Sequence, residues 1–161
     1  MTEQELKEQL EAAERGPREV ARAVEGLDEA MLQLQPGPDK WSIQEILGHL
    51  ADCEIVYGYR IRQVIADRQP VFAPIDQNEW ARHLGYTAAS PTELLALYTA
   101  NRRGNLRLLQ SVTAEQLSRS AFHPELQRQM TLAECIERMT SHDGNHLAQI
   151  ERLKEEASSS G

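Results

Sequence analysis

The sequence has few cysteines, no concentration of basic residues and no long apolar run. Two cysteines in 161 residues, Cys53 and Cys135, are too few for a disulfide framework and indicate a reducing compartment. Lys and Arg number 17 against 25 Asp and Glu, and no basic stripe forms, which argues against a nucleic-acid partner. No window approaches the roughly 20 apolar residues of a membrane span. We therefore expect a cytoplasmic protein with neither a nucleic-acid nor a membrane partner.

Several catalytic signatures are absent as well. The sequence contains no G-x-S-x-G nucleophile elbow, no phosphate-binding P-loop and no dinucleotide fingerprint. No run alternates apolar and polar residues for long enough to predict a strand of a sheet. A chain of 161 residues has the length of one domain with one core. We assign residues 1–157 to that domain and residues 158–161 to a disordered tail.

Signals for the starts of helices are plentiful. Three segments, beginning at Ser42, Ser90 and Thr131, match the capping box, in which a hydroxyl and an acid satisfy the first amides of a helix. Apolar residues recur with helical period after each of them, and also in the N-terminal region. There we predict that one helix ends and another begins with Pro17 in its first turn. The pattern predicts an all-α four-helix bundle, with residues 68–90 as a long connection between bundle helices 2 and 3.

Two histidines stand one helical turn apart in the segment S-H-D-G-N-H-L. Side chains at i and i+4 are about 5–6 Å apart at Cβ, so His142 and His146 can face one metal ion. Both fall, with Asp143, on the apolar face of the last helix, where polar groups without partners cost about 1–3 kcal/mol each. His49, in another amphipathic segment, can supply a third ring. Three imidazoles would leave open coordination positions, as in catalytic zinc sites.

The ligand type limits the metal without selecting one. Imidazole suits zinc, nickel, copper and iron, and we expect a divalent transition metal, with zinc or nickel foremost. Asp52, one turn from His49, and Asp143, beside His142, are candidates to orient a ring or accept a proton. Asn145 is a further candidate for binding substrate.

Other polar residues leave alternatives open. Arg102 lies on the inward face of its predicted helix, where it could clamp a substrate carboxylate or pair with a buried acid. We interpret Cys53 and Cys135 as small residues of the core and not as residues that line the site, because free cysteine is usually buried. His83 and His123 lie near turn-like sequence, and we predict that both are solvated.

Four parts of the chain together resemble the DinB-like superfamily. They are residues 40–54, 74–80, 101–106 and 141–150. The pairing of W-S-x-x-E-x-x-x-H-L with H-D-x-x-H-L-x-Q-I is their most specific feature. The resemblance implies a metal-binding bundle of up-down-down-up topology, with His49, His142 and His146 as the ligands, and it makes a homodimer an expectation.

The resemblance leaves two classes of function open. Relatives include S-transferases that use low-molecular-weight thiols, mycothiol-dependent isomerases and proteins called hydrolases by analogy, and fold does not fix function. The first hypothesis is an enzyme in which a metal activates a thiol or water for reaction with a small molecule. The alternative is a non-catalytic, metal-stabilised module for stress-response binding or dimerisation, with Cys53 or Asp143 as a fourth ligand.

Overall fold

Four long helices form the bundle in the computed structural model, which describes residues 1–38 and 40–159. In chain order the elements are α1 (Glu3–Val24), α2 (Glu29–Gln33), α3 (Ile43–Ala66), α4 (Gln77–His83), a 3₁₀ helix (Tyr86–Ala88), α5 (Pro91–Leu109), α6 (Ala114–Ser118), β1 (Ser120–His123), β2 (Arg128–Thr131) and α7 (Leu132–Ser159). The long members are α1, α3, α5 and α7. The predicted all-α four-helix bundle is confirmed.

The order of contacts along the helices gives the topology. Helices α1 and α3 each pack against both α5 and α7. Gln9 pairs with Thr140, and further along both helices the carbonyl of Ala23 accepts from Lys154, so α1 and α7 run in the same direction. Arg102 of α5 contacts Glu54 of α3, and Asn105, later in α5, lies at Gly58, later in α3, so these two helices are parallel. Arg102 also contacts Ala13 of α1, whereas the later Leu106 lies near the earlier Leu10, so α5 and α1 are antiparallel. The topology is therefore up-down-down-up, as predicted.

The predicted capping boxes form, but the long connection and one hairpin differ from the prediction. Ser42, Ser90 and Thr131 all form the predicted capping boxes. Residues 68–90 contain α4 and the 3₁₀ helix, so this connection is partly helical. The prediction that no strand forms was wrong, because β1 and β2 make an antiparallel hairpin. Its strands are only four residues long, too short for alternation to predict them.

The predicted restart of a helix at Pro17 was also wrong. Helix α1 continues through Pro17 without a second start. Proline lacks the amide hydrogen that would bond to the carbonyl four residues earlier, which is that of Ala13. That carbonyl instead accepts a hydrogen bond of 2.7 Å from Nη1 of Arg102. The bond lost within the helix is replaced by one from a neighbouring helix, and this allows the helix to continue.

A polar layer divides the core in two. One apolar cluster contains Ala13, Ile61, Leu106 and Met139, and the other contains Val20, Leu50, Tyr98 and Ile150. Between them, at the same level of all four long helices, lie Gly16, Glu54, Arg102 and Asp143. Helices α3, α5 and α7 each place a polar side chain at this level, and α1 contributes a glycine that makes room for them.

The predicted C-terminal tail is partly helical. Of the tail predicted for residues 158–161, residues 158 and 159 form the last part of α7, and residues 160 and 161 lie outside the described part. No helix in the described ranges is both long and apolar enough to cross a membrane.

Gly16 provides a test of the polar layer. A Cβ atom at this position would overlap Oδ2 of Asp143, which is buried and bonded to Arg102. We expect Gly16→Ala to lower the free energy of unfolding by about 1–3 kcal/mol, as overpacking does in other cores. Urea unfolding measures it. The control is Gly104→Ala in α5, where no atom lies within 4 Å of the new methyl and helix propensity predicts a small gain. Equal effects of the two variants would contradict this account.

Candidate metal centre

Three imidazole rings from two helices meet at one point between α3 and α7. The Nε2 atom of His142 lies 2.9 Å from Nε2 of His49 and 3.2 Å from Nε2 of His146. The helical spacing within α7 and the antiparallel packing of α3 produce this convergence. In a tetrahedral zinc site, nitrogens about 2.0–2.1 Å from the ion are separated by roughly 3.3 Å. The separations of the His142 nitrogen from those of His49 and His146 are therefore close to the separations around a small divalent ion.

The rings are in the protonation state that binds metals. Burial, together with the neighbouring rings, lowers the pKa of His49 to about 3 and that of His142 to about 2. Burial also lowers the pKa of His146, against the hydrogen bond of Gln149. Neutral imidazole carries one N–H, and in His146 the Nδ1–H donates to Oε1 of Gln149 at 3.0 Å. This bond leaves the lone pair of Nε2 directed toward the other two rings.

A sulfur atom completes the group. Sγ of Cys53 lies 3.4 Å from Nε2 of His49, and ligand atoms of His49, Cys53 and His142 all fall within 4.8 Å of one another. Burial raises the pKa of the Cys53 thiol to about 12, so without an ion it is protonated. The sequence favoured Cys53 as a core residue, and the structure places it both in the core and against the rings. Cys135 lies in the apolar core alone.

Aromatic rings enclose the histidines. Trp41 lies with its ring centroid 4.6 Å from that of His49 and stacks on His146 at 6.1 Å. Tyr57 contacts His142 edge to face at 5.9 Å. These rings limit the directions in which the imidazoles can turn. Sequence alone offers no reason to place Trp41 or Tyr57 at the site, since Trp41 directly precedes the cap of α3 and Tyr57 fits the apolar face of that helix.

Asp143 faces away from the histidine rings and into the polar layer. Both of its oxygens accept from Arg102, at 2.6 and 2.9 Å. Arg102 is 1% exposed and also donates to Oε1 of Glu54 at 2.7 Å. Burial raises the pKa of Glu54, and the Arg102 guanidinium opposes that shift. Of the two roles considered for Arg102, the structure shows the pairing with buried acids.

The other predicted polar residues are more distant from the rings. Asp52 accepts a hydrogen bond of 2.7 Å from the hydroxyl of Tyr86, which comes from the 3₁₀ helix. Asn145 is exposed on the outer face of α7. Among the described residues, neither Asp52 nor Asp143 bonds to an imidazole. Gln149, which does bond to an imidazole, was missed, although its position three residues after His146 places it within reach.

A cavity of about 790 Å³ opens beside the three rings. Cys53, Tyr57 and His142 form part of its wall, and residues 74–77 of the long connection form another part. The hairpin contributes His123, which is 5% exposed, so the prediction that His123 is solvated was wrong. The cavity is of a size that admits a small molecule, and His142 is the one of the three histidines that lines it.

Comparisons with known proteins agree with this architecture. A sequence model of the DinB superfamily matches residues 12–150. The YfiT protein of Bacillus subtilis, named as a candidate metal-dependent hydrolase, is 24% identical over 144 residues, which cover 89% of this chain and 81% of YfiT. A protein of Oceanobacillus iheyensis with the same kind of name is 28% identical over 138 residues, 85% of this chain and 78% of its own length.

Two solved structures share the fold. That of YfiT from Bacillus subtilis superposes with a TM-score of 0.93 at 22% identity, over 98% of this chain and 90% of that one. A mycothiol-dependent maleylpyruvate isomerase superposes with a TM-score of 0.70 at 16% identity. It is matched over 90% of this chain but only 60% of its own length. At such identities these likenesses establish the fold and not the reaction.

The buried network behind the rings gives a prediction about stability. Arg102→Met leaves the carboxylates of Glu54 and Asp143 buried without their cation, which costs about 3–5 kcal/mol. Burial raises the pKa of Glu54 and Arg102 opposes that rise, so the loss of Arg102 raises this pKa further and makes the stability deficit depend on pH. A folded-state pKa above the unfolded value destabilises at higher pH, so the deficit should shrink as pH falls and the acid is protonated.

Urea unfolding of the Arg102 variant near neutral pH and under mildly acidic conditions measures both effects. Arg103→Met is the matched control, because Arg103 is exposed on the same helix and its loss should change stability by less than about 0.5 kcal/mol. A deficit that is small, or that does not change with pH, would contradict the assigned role of Arg102.

Proposed function

This chain belongs to the DinB superfamily, and on that basis we propose that it is a metal-dependent enzyme acting on a small molecule. His49, His142 and His146 would hold a divalent transition metal, with zinc or nickel as the first choices. The observation that carries the proposal is the approach of their three Nε2 atoms, at 2.9 and 3.2 Å, beside a cavity of about 790 Å³. The homodimer and the absence of nucleic-acid and membrane partners stay predictions.

The donor set and its surroundings support a metal. Three neutral rings with converging nitrogens repel one another unless a proton or a cation lies between them. The negative charge of the Asp143 carboxylate, in the buried network behind the rings, raises the pKa of His146. In an interior of low dielectric constant this charge favours a cation nearby. The names of the relatives support the same class of protein.

The roles of the protein's own residues follow from their contacts. Gln149 fixes the tautomer of His146, and Trp41 restrains the orientation of two rings. The bound ion would supply Lewis acidity, which lowers the pKa of a thiol or water nucleophile. Tyr57 and the long connection would exclude bulk water and orient the small molecule. We propose thiol transfer or hydrolysis as the reaction, with a low-molecular-weight thiol as a possible co-substrate of the first.

Removal of a ring tests the proposal directly. We expect His146→Ala and His49→Ala each to weaken zinc binding by more than the 10–100-fold typical of losing an outer-sphere partner. Competition with a chromophoric chelator measures the affinity. Asn145→Ala is the matched control, because Asn145 is exposed next to His146 on the same helix and should leave zinc affinity unchanged.

The same variants should lose activity in a screen that combines small electrophiles and esters with glutathione, mycothiol and bacillithiol. The double variant His49→Ala/His146→Ala, free of metal, is the decisive sample. Thiol transfer or ester hydrolysis at the rate of the unaltered protein in that sample would refute the proposal.

One observation favours a second function. Sγ of Cys53 lies close enough to His49 to become a fourth ligand, and a site closed by four side chains has no position for substrate. Such a site would serve stability, as expected of a non-catalytic binding or dimerisation module. Asp143, the other fourth ligand considered, is engaged by Arg102.

Cobalt substitution separates the two functions. In the proposed enzyme, Cys53 stays a thiol, and Cys53→Ala should leave the visible spectrum of the cobalt-loaded protein nearly unchanged. In the closed site, a thiolate-to-cobalt charge-transfer band should be present and should vanish in Cys53→Ala, together with much of the metal's effect on stability. Observation of that band would replace the enzyme with the structural module.

A further inference from the structure

The ring of Trp41 contacts two of the three histidines, and these are the two that do not line the cavity. His142 forms part of the cavity wall, whereas neither His49 nor His146 lines it. Trp41 lies 4.6 Å from His49 between ring centroids, and 6.1 Å from His146 with the two ring planes nearly parallel. The site therefore has one imidazole at the cavity and two imidazoles against the indole.

Trp41 also lines a polar gap in the surface of about 190 Å³, and none of the described histidines lines that gap. Helix α4 forms one wall of the gap, and the segment that leads into α3 forms another. The other residues that line it are Gln35, Lys40, Glu45, Asn78, Ala81 and Arg82. A small molecule that entered the gap would meet the indole before it reached His49 or His146.

Backbone and side-chain contacts hold Trp41 in this position. It directly precedes Ser42, whose amide donates to Oε2 of Glu45 at 2.8 Å and whose hydroxyl accepts from the Glu45 amide at 3.2 Å. The same Oε2 accepts from the side chain of Gln35 at 3.0 Å. The indole packs on the apolar cluster that contains Leu50. The ring that covers the two histidines is therefore attached to a fixed point of the backbone.

We propose that Trp41 is a positioning residue that makes the metal centre accessible from one side only. It holds the rings of His49 and His146 in place and closes the route from the gap, so a ligand reaches the ion only from the cavity, beside His142. An imidazole that binds a cation carries part of its charge, and the face of an indole attracts such charge. This inference rests on the proposed function, because the three rings act there as metal ligands.

Chemical modification of the metal-free protein tests the arrangement of the rings separately from metal binding. Diethyl pyrocarbonate modifies accessible neutral imidazoles, and mass spectrometry after brief exposure gives a rate for each histidine. In the unaltered protein we expect His142 to react faster than His49 and His146, with the exposed His83 as internal reference. Trp41→Leu should accelerate His49 and His146 by roughly tenfold, because two aromatic contacts are lost, and should change His142 by less than about twofold.

Matched variants separate positioning from a general loss of stability. Trp41→Phe keeps an aromatic ring and should show a smaller increase than Trp41→Leu, and it takes the place of the leucine variant if that variant does not fold. Trp80→Leu removes the other tryptophan, which is half-buried on α4, and should leave all three rates unchanged. The proposal is overturned if His49 and His146 keep their rates in a folded Trp41→Leu, or if all three histidines, with His142, accelerate equally.

Zinc binding supplies a second readout. Trp41→Leu should weaken zinc affinity by roughly tenfold or more, as the loss of an outer-sphere partner does, and Trp41→Phe should recover part of it. Competition with a chromophoric chelator measures both. If zinc does not bind to the unaltered protein but His49 and His146 still become reactive in Trp41→Leu, the shielding by Trp41 stands and the metal-dependent function falls. Unchanged reactivity together with unchanged zinc affinity refutes the role of Trp41 and leaves the proposed function intact.

Discussion

The buried guanidinium of Arg102 is the constraint on which the rest of this structure depends. It lies where the two apolar clusters meet and bonds to all three other long helices, through the Ala13 carbonyl, Glu54 and Asp143. A charge removed from water is stable only beside compensating groups, and these three supply them to the two terminal nitrogens of Arg102, while its Nε has no partner among the described residues. The four helices must therefore align at one level, and this alignment brings the histidine-bearing segments of α3 and α7 together at the same height.

Two consecutive residues of α7 point to different sides of the helix and have different roles. His142 and Asp143 are consecutive and differ by about 100° around α7, so one points toward α3 and the other toward Arg102. Asp143 therefore stabilises the bundle through Arg102, and the ring of His142 contacts those of His49 and His146. Rigid support and an accessible set of ligands come from a single helical turn, which is an arrangement suited to a site whose geometry must not change.

The sequence was sufficient for the bundle, its capping boxes and the convergence of three histidines, because helical periodicity and i,i+4 spacing are local properties. It did not reveal the partner of Asp143. A polar residue on an apolar face shows that a partner exists and not what it is, so the sequence predicts that Asp143 orients a histidine ring or accepts a proton. The environment of His123 was missed for a related reason, since a four-residue strand has too little alternation to be detected. Long-range contacts determined both outcomes.

Pro17 has a consequence for how such proteins can change over evolutionary time. The proline leaves the Ala13 carbonyl without its partner inside the helix, and Arg102 supplies one from α5. Without Arg102 the Ala13 carbonyl would lose the partner that replaces the missing amide, so Pro17 is tolerated because Arg102 is present. Gly16, which makes room for Asp143, belongs to the same set. Substitutions at Gly16, Pro17, Arg102 and Asp143 are therefore expected to be coupled, and a lineage that loses Arg102 would be expected to replace the proline and the surroundings of Glu54 and Asp143 as well.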